Sequence, residues 1–450
     1  MLKRFDVSGP RYTSYPTADR FTEAFTREDY LDALRQHKAG VVSPLSLYVH
    51  IPFCESLCYY CACNKIITRH HETAGQYLRY LEREIGLHIE QLGAGRPVTQ
   101  LHLGGGTPTF FSDDELGQLM AMLRKVFDLA PNGEYAIEID PRTVDAGRLK
   151  ALRKLGFNRL SFGVQDFNPA VQAAVHRIQP VEQVAALMAA ARDEGFASVN
   201  TDLIYGLPKQ TLETFSETVA QVCDLRPDRI ALYAYAHLPE RFKPQRRIIA
   251  EDLPKAATKI ELLSHSIGAL LDAGYVYVGM DHFALPDDAL AVAKRQGRLH
   301  RNFQGYSTEP DCDLIALGVS AIGRIGATYS QNAKTLDEYC DQLDQGLLPI
   351  ARGLTLSPDD ILRRAVITSV MCQGRVNFEA VGLAHSIDFQ SYFSSELAAL
   401  QSLADQGLVR IGAGDIEVTE IGWYFVRAVA MVFDRYLQAN RNHSRFSRII

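Results

Sequence analysis

The sequence predicts an α/β protein: a partial (βα)6 barrel with an N-terminal extension and a smaller, mostly helical C-terminal domain. Three observations predict it. Six short β-branched or aromatic runs alternate with helical patterns, which argues for parallel βα units. Polar or glycine residues recur at the C-terminal end of each run, where parallel sheets gather their chemistry. Beyond about residue 355 the strand–helix alternation gives way to clustered helical patterns.

The runs lie at 46–53, 99–104, 134–140, 159–166, 198–205 and 229–236, with helical patterns at 73–93, 113–128, 144–155, 180–195 and 211–225 between them. Their near-continuous apolar character fits strands covered by helices on both faces. Six units are too few for a closed eight-stranded barrel, so an open one is expected. Past 355, helical patterns at 357–374, 376–383, 388–407 and 419–440 surround a candidate hairpin at 408–419. The expected domains are a substrate-contacting extension over 1–45, the barrel with additional strands over 46–355, and a helical lid over 356–450. A winged-helix DNA-binding module is the competing reading of the last part. Residues 351–450 hold ten arginines, no lysines and ten acidic residues, so no basic excess is present to meet phosphates.

Composition narrows the function classes. The 450 residues are 47% apolar with a net charge of −6, which gives no footprint for a nucleic-acid partner. No apolar stretch approaches the ~20 residues needed to span a bilayer. The N-terminus MLKRFDVSGPRYTSYPTA carries no apolar leader signal, and no zipper-like repeat occurs. A cytoplasmic monomer is therefore expected.

Four of the eight cysteines fall in residues 54–63, Cys-Glu-Ser-Leu-Cys-Tyr-Tyr-Cys-Ala-Cys, and the first three are spaced C-x₃-C-x₂-C. A structural zinc site draws ligand pairs from two places, and no second C-x₂-C or H-x₃₋₅-H pair follows. Disulfides need an oxidising compartment. Electron-transfer ferredoxins use other spacings and four cysteines per cluster. Three thiolates on one tight loop instead suit an iron–sulfur cube with one iron left open for chemistry. Cys223, Cys312, Cys340 and Cys372 are scattered singly and read as small buried apolar side chains.

The other strand ends agree. Gly104-Gly105-Gly106-Thr107-Pro108-Thr109 follows the second run, Glu138 and Asp140 end the third, and Gln165 and Asp166 the fourth. Asp202 and Tyr205-Gly206 end the fifth, and Tyr235, Ala236 and His237 the sixth. The glycine run is neither the dinucleotide fingerprint nor a P-loop. Three glycines in succession expose backbone N–H and C=O groups and admit close approach by a ligand. His50 and His102 belong to no metal-binding pair and read as core or supporting histidines.

The C-x₃-C-x₂-C loop after a first strand, with GGGTPT after a second, resembles the radical S-adenosylmethionine (SAM) superfamily. Within it, SGPRYTSYPTA at 8–18, CYYCACNK at 58–65, GMDHFALPDD at 279–288, HRNFQGYST at 300–308 and LGVSAIGRIG at 317–326 resemble the family of oxygen-independent coproporphyrinogen III oxidases (dehydrogenases). The resemblance implies a [4Fe–4S] cluster whose open iron is chelated by SAM, and a 5′-deoxyadenosyl radical made by reductive cleavage. It further implies anaerobic oxidative decarboxylation of two propionate side chains of coproporphyrinogen III to vinyl groups, giving protoporphyrinogen IX. The alternative is a haem-delivery chaperone paralogue on the same fold. Cys63 and the RYTSYPTA start favour the oxidase.

The same resemblance implies roles by position. Cys54, Cys58 and Cys61 would be the cluster ligands, with Cys63 outside the ligand set. Two SAM molecules are implied. Tyr48, Gly105, Glu138 and Ile322 would line the cluster-bound one. Tyr60, Gly106, Thr107, Gln165, Arg177, Asp202 and Ala236 would line the second. Asp202 could take ribose hydroxyls, and Arg177 offers a carboxylate a bidentate fork. Arg11, Tyr12, Tyr15 and Arg301 are candidate substrate contacts, and a reducing electron-donor protein is the expected partner. The Met280-Asp281-His282-Phe283 segment belongs to the resemblance without an assigned role. On this reading Cys58→Ser abolishes the visible cluster absorbance after anaerobic reconstitution, whereas Cys63→Ser retains most of it. Loss of the cluster in both variants would overturn the ligand assignment.

Overall fold

The computed structural model describes residues 9–40, 43–309 and 312–439. The first eight residues, part of the stretch in which no leader was read, lie outside the described residues. Two compact units emerge. The larger comprises Phe21–Gly274 and Cys312–Thr355, and the smaller Met1–Arg20, Tyr275–Asp311 and Leu356–Ile450.

In the larger unit the six expected strands form β1 (Leu45–Ile51), β2 (Arg96–Gly105), β3 (Phe127–Ile139), β4 (Arg159–Gln165), β5 (Ser198–Tyr205) and β6 (Arg229–Ala234). They lie side by side in sequence order, all parallel. On the other side of β1, Asp313–Leu317 pairs parallel to it, and Ile322–Ile325, Thr328–Asn332 and Ile350–Thr355 continue antiparallel. The sheet is open, as expected. Along β1, Leu45, Leu47, Val49 and Ile51 are buried on one face, while Tyr48 and His50 alternate onto the other.

The helices Glu72–Leu92, Asp113–Val126, Ala146–Lys154, Val181–Asp193 and Leu212–Leu225 fall where the periodicity puts them. Their starts are chemically marked. Ser112 with Glu115, and Thr211 with Thr214, form reciprocal caps, and Asp145 accepts from Arg148 N at 2.8 Å. β3 begins earlier than the run at 134, because Phe127 leaves the preceding helix directly in extended conformation with its ring buried.

The turn that follows Asp313–Leu317 is anchored by one buried carboxylate. Glu84, on helix Glu72–Leu92, accepts from Gly318 N (2.7 Å), Asn332 Nδ2 (2.7 Å) and Tyr339 Oη (2.6 Å). Tyr77, on the same helix, donates to His50 O at 2.8 Å and accepts from Val319 N at 2.9 Å. The turn that leads to Ile322 and the end of β1 are thus tied to one helix.

In the smaller unit Tyr12 and Tyr15 pack into one core with Val366, Phe393, Phe425 and Phe433. The hairpin Val409–Ile411/Asp415–Val418 forms and gains a third strand, Arg375–Asn377, which the sequence did not signal. The pattern at 419–440 is three short helices rather than one: Glu420–Trp423, Val426–Val432 and Arg435–Ala439. Asp434 explains the last break, because its buried carboxylate accepts from Tyr436 N (2.9 Å) and Leu437 N (3.2 Å) and so restarts the chain. Likewise 388–407 splits at Phe393, whose backbone is non-helical and whose ring is fully buried. Among the described residues no helix is long and apolar enough to cross a membrane.

Burial pushes the Glu84 carboxyl up to about 7, against the pull of its three donors. A carboxyl raised on folding favours the folded state below its unfolded pKa, and that contribution is lost as the pH rises through the folded value. Chemical denaturation should therefore show the wild type losing stability between about pH 5 and pH 8 that Glu84→Gln retains. Glu84→Ala, which strands three buried donors, should cost about 3 kcal/mol or more.

Candidate active site

The cysteine loop after β1 and the C-terminal parts of β2 to β6 surround a cavity of about 430 Å³ in the larger unit. It is lined by Cys54, Cys58, Cys61 and Cys63 on one side. Gly105, Gly106, Thr107, Glu138, Gln165, Arg177 and Asp202 complete the candidates gathered there, with Tyr60 from the cysteine loop. Tyr48, Ala236 and Ile322 stand outside the lining. Tyr48 reaches the site through His50, and the Ala236 carbonyl accepts from Gln245 Nε2 at 3.2 Å.

The cysteine loop has little secondary structure of its own, so polar contacts impose its path. The short pair Phe53–Cys54/Ile66–Ile67 closes its base. His50 Nε2–H donates to Asn64 O (2.9 Å), while its Nδ1 accepts from Tyr48 Oη (3.0 Å). Burial holds the His50 pKa down and keeps this ring neutral. Lys65 Nζ donates to Cys61 O (3.2 Å) and Cys63 O (3.3 Å), and Gln245 Nε2 to Tyr60 O (3.1 Å).

The sulfur atoms meet donors. Thr107 Oγ1 donates to Cys54 Sγ at 3.4 Å, and Arg142 Nη2 and Arg177 Nη1 each approach Cys58 Sγ at 3.5 Å. Burial nonetheless pushes the Cys54 thiol up to about 11. A hydrogen bond from Cys63, aided by the Lys65 ammonium, favours the Cys61 thiolate. Among the described residues no three His, Cys, Asp or Glu side chains converge as the ligands of a single ion would. A cube takes its thiolates at separate corners, and Cys54, Cys58 and Cys61 all line this one cavity.

Two strand-end carboxylates sit in opposite settings. Burial works to raise Glu138, but His102 Nε2 at 3.1 Å, its charge, and Gly105 N at 3.2 Å outweigh it and hold the carboxyl below its usual range. Asp202 has neutral donors, Asn200 Nδ2 (2.8 Å) and Ser161 Oγ (3.2 Å). Burial first, then repulsion from Glu138, push it up to about 6.

The glycine run differs in one respect from its sequence reading. Its N–H groups are already taken: Gly105 N by Glu138, Gly106 N by Ile51 O (2.8 Å) and Thr107 N by Phe53 O (2.8 Å). A Cβ on Gly105 would lie 2.7 Å from the His50 ring, and one on Gly106 2.5 Å from Pro52 O. Gly105 also holds φ +118°, a conformation that favours glycine. The run is glycine because the cysteine loop packs directly upon it.

Arg177 is likewise committed. Its fork holds Asp140 at 3.2 Å through both Nη atoms, and Nη2 also donates to Gly163 O. Its Nε, and Gln165 Oε1 beside it, are buried with no protein partner. Gln165 adopts φ +69° at the end of β4, a strained backbone that turns it into the cavity. Both residues line the cavity, and a buried polar atom without a partner is a group that a polar ligand can answer. Asp140 and Arg142 also line the cavity, and the sequence reading assigned neither to the site. Asp140 was visible as a strand end, but nothing local signals that Arg142 turns back onto Cys58. The substrate candidates lie in the smaller unit. Arg11 pairs with Asp281, Tyr12 Oη donates to Asp434 (3.0 Å), and Tyr15 Oη accepts from Arg435 N (3.3 Å). Arg301 Nε donates to Arg11 O at 3.3 Å while its Nη1 is buried without a partner.

Comparison with known proteins decides the family. The Radical SAM superfamily model matches residues 48–222, and the HemN C-terminal domain model residues 356–425. Oxygen-independent coproporphyrinogen III oxidase of Pseudomonas aeruginosa is 51% identical over 453 residues, covering 100% of this chain and 98% of the relative. The Escherichia coli enzyme of the same name is 48% identical over 450 residues, with 100% and 98% covered. The chain belongs to the oxygen-independent coproporphyrinogen III oxidase family. A solved structure described as coproporphyrinogen III oxidase (HemN) from Escherichia coli, a radical SAM enzyme, superposes with a TM-score of 0.92 at 46% identity, covering 96% of this chain and 100% of that one. The chain is accordingly a radical SAM oxidoreductase that uses a [4Fe–4S] cluster and SAM. The cavity fits both groups: thiols with donors aimed at sulfur for the cluster, and unpartnered Gln165 and Arg177 atoms for SAM. Neither relative supports the haem-delivery alternative.

Gly106→Ala should displace the Pro52–Phe53 backbone, cost about 1–3 kcal/mol in chemical denaturation and lower the iron content after reconstitution. Gly117→Ala, on helix Asp113–Val126 with only Leu155 Cδ2 nearby at 3.8 Å, is the control and should leave iron content unchanged.

Proposed function

We propose that this chain converts coproporphyrinogen III to protoporphyrinogen IX without oxygen, by oxidative decarboxylation of two propionate side chains to vinyl groups. The observation that carries the reading is the single cavity in which three loop thiols meet the strand-end polar groups, in a chain similar over its whole length to oxidases of that name.

Cys54, Cys58 and Cys61 hold the cluster. Bound there, the cluster and SAM supply a 5′-deoxyadenosyl radical able to take hydrogen from the propionate carbon adjacent to the ring. Tyr48, Gly105, Glu138 and Ile322 serve the cluster-bound SAM. Tyr60, Gly106, Thr107, Gln165, Arg177, Asp202 and Ala236 serve a second SAM molecule. The ionised Glu138 suits a cationic ligand, and Asp202 suits hydroxyl donors. The unpartnered Arg177 Nε and Gln165 Oε1 add a donor and an acceptor.

For the substrate, the buried and unpartnered Nη1 of Arg301 supports a carboxylate contact. Tyr12 and Tyr15, whose hydroxyls already have partners, act by fixing the N-terminal segment that carries Arg11. The reading includes a covering role for residues 356–450, a reducing protein donor, and a monomer in the cytoplasm, where clustered thiols stay reduced.

Anaerobic incubation of the reconstituted protein with SAM, reductant and coproporphyrinogen III should yield 5′-deoxyadenosine and protoporphyrinogen IX. SAM cleavage with haem binding but no decarboxylation would refute the activity. A pH series tests Asp202. Its carboxyl ionises near 6, so SAM affinity should rise between about pH 5 and pH 7 as the stronger acceptor forms. Asp202→Asn should weaken binding and flatten that dependence in a calorimetric titration.

A further inference from the structure

Asp140 lies between two guanidiniums that share one target. Arg142 donates to it through Nε (3.0 Å) and Nη2 (2.7 Å), Arg177 through Nη1 and Nη2 (both 3.2 Å), and each arginine then points an N–H at Cys58 Sγ, 3.5 Å away. The arrangement is enclosed, with side-chain exposures of 19% for Arg142, 10% for Asp140 and 7% for Arg177. Its parts come from three places: the end of β3, the turn Pro141–Thr143 after it, and the segment after helix Pro169–Ala174. Arg177 also borders the cavity and keeps a buried Nε without a protein partner. Arg142 borders the same cavity. All three of its side-chain hydrogen-bonding partners are Asp140 oxygens or the Cys58 sulfur.

We propose that Asp140 and Arg142 tune the cluster through Cys58, Asp140 acting as the clamp that fixes the Arg142 guanidinium against the ligand sulfur so that the reduced cluster is stabilised. The proposal rests on Cys58 being a cluster ligand. Gaining one electron adds one negative charge to the cluster. A cation and an N–H donor at the ligand sulfur stabilise the reduced form more than the oxidised form, and so raise the reduction potential. Enclosure limits screening by solvent and salt. The negative Asp140 offsets one of the two positive charges, leaving a net cation at the sulfur whose direction is fixed by bidentate geometry.

The test is an EPR-monitored redox titration of the reconstituted, SAM-free protein with dithionite as the one-electron reductant, independent of turnover. In Arg142→Gln, the reduced-to-oxidised ratio at a fixed potential should fall about tenfold, about 59 mV for a one-electron couple. Arg142→Lys, which keeps the charge but loses the planar fork, should fall between Arg142→Gln and wild type. Arg148→Gln removes the same charge from a residue that contacts Asp113 and Phe111 O rather than a cysteine, and should match wild type. Unchanged ratios in Arg142→Gln and Arg142→Lys overturn the proposal. Should Arg142→Gln fail to load the cluster, Arg142→Lys decides, because loss of the fork alone must still lower the ratio. Failure of the wild type itself to show a cluster signal would count instead against the ligand assignment on which the proposal rests.

Discussion

The cysteine loop cannot hold its own shape, and most of the site's architecture answers that constraint. Between the short strands at Phe53–Cys54 and Ile66–Ile67 the chain forms no helix or ladder, so its polar groups need partners from elsewhere. They find them on six different segments. His50 on β1 takes Asn64 O, Thr107 after β2 takes Cys54 Sγ, Arg142 after β3 takes Cys58 Sγ, and Tyr59 N donates to Val175 O at 3.0 Å. Gln245 takes Tyr60 O, and Asn64 Nδ2 donates to Lys334 O at 3.0 Å. A loop pinned at so many separate points has the placement of its thiols set by the surrounding fold. Losing an enclosed pin, such as that of the buried His50, leaves a polar group unanswered, which costs more than the bond contributed.

The same constraint separates what was legible in the sequence from what was not. The strand ends were legible because a parallel sheet brings every C-terminal end to one side, so a polar residue closing an apolar run announces its place. Eleven of the fourteen cluster and SAM candidates line one cavity, and Ala236 shares Gln245 as a partner with Tyr60, which does. Side-chain direction was not legible. Arg177 was read as a free fork, and its fork holds Asp140. The glycines were read as a bed of exposed N–H groups, and those groups bond Glu138, Ile51 and Phe53. In each case the partner is remote in sequence, and no local pattern encodes it. The break in 419–440 is similar: Asp434 acts as a cap only because Tyr12, far along the chain, helps to hold its carboxylate in place.

Charge is distributed around the site with the same economy. A buried ion pair is seldom a net source of stability, since desolvation offsets the attraction, yet breaking one strands the other charge. Asp140 with Arg142 and Arg177 is such a group, and its worth lies in direction: a bidentate fork fixes where the remaining N–H points. That explains why arginine rather than lysine stands at both positions, since an ammonium could neutralise Asp140 without aiming at Cys58.

Glu138 and Asp202 carry the argument a step further. They stand on β3 and β5 of one sheet, both are enclosed, and they repel each other, yet their states diverge. Glu138 receives a histidine and a backbone N–H and stays ionised. Asp202 receives only neutral amide and hydroxyl donors, and feels the charge that Glu138 keeps, so it is pushed up to about 6. Two ionised carboxylates in so small a space would each raise the cost of the other. The pair resolves this by fixing one charge permanently and leaving the second to be settled by whatever binds beside it. A sulfonium-bearing ligand with ribose hydroxyls brings a cation and two donors, which would make the ionised form of Asp202 the favoured one. A ligand of that kind would complete the charge balance of the site, whereas a neutral molecule of the same shape would leave the Asp202 carboxyl raised by burial and by Glu138.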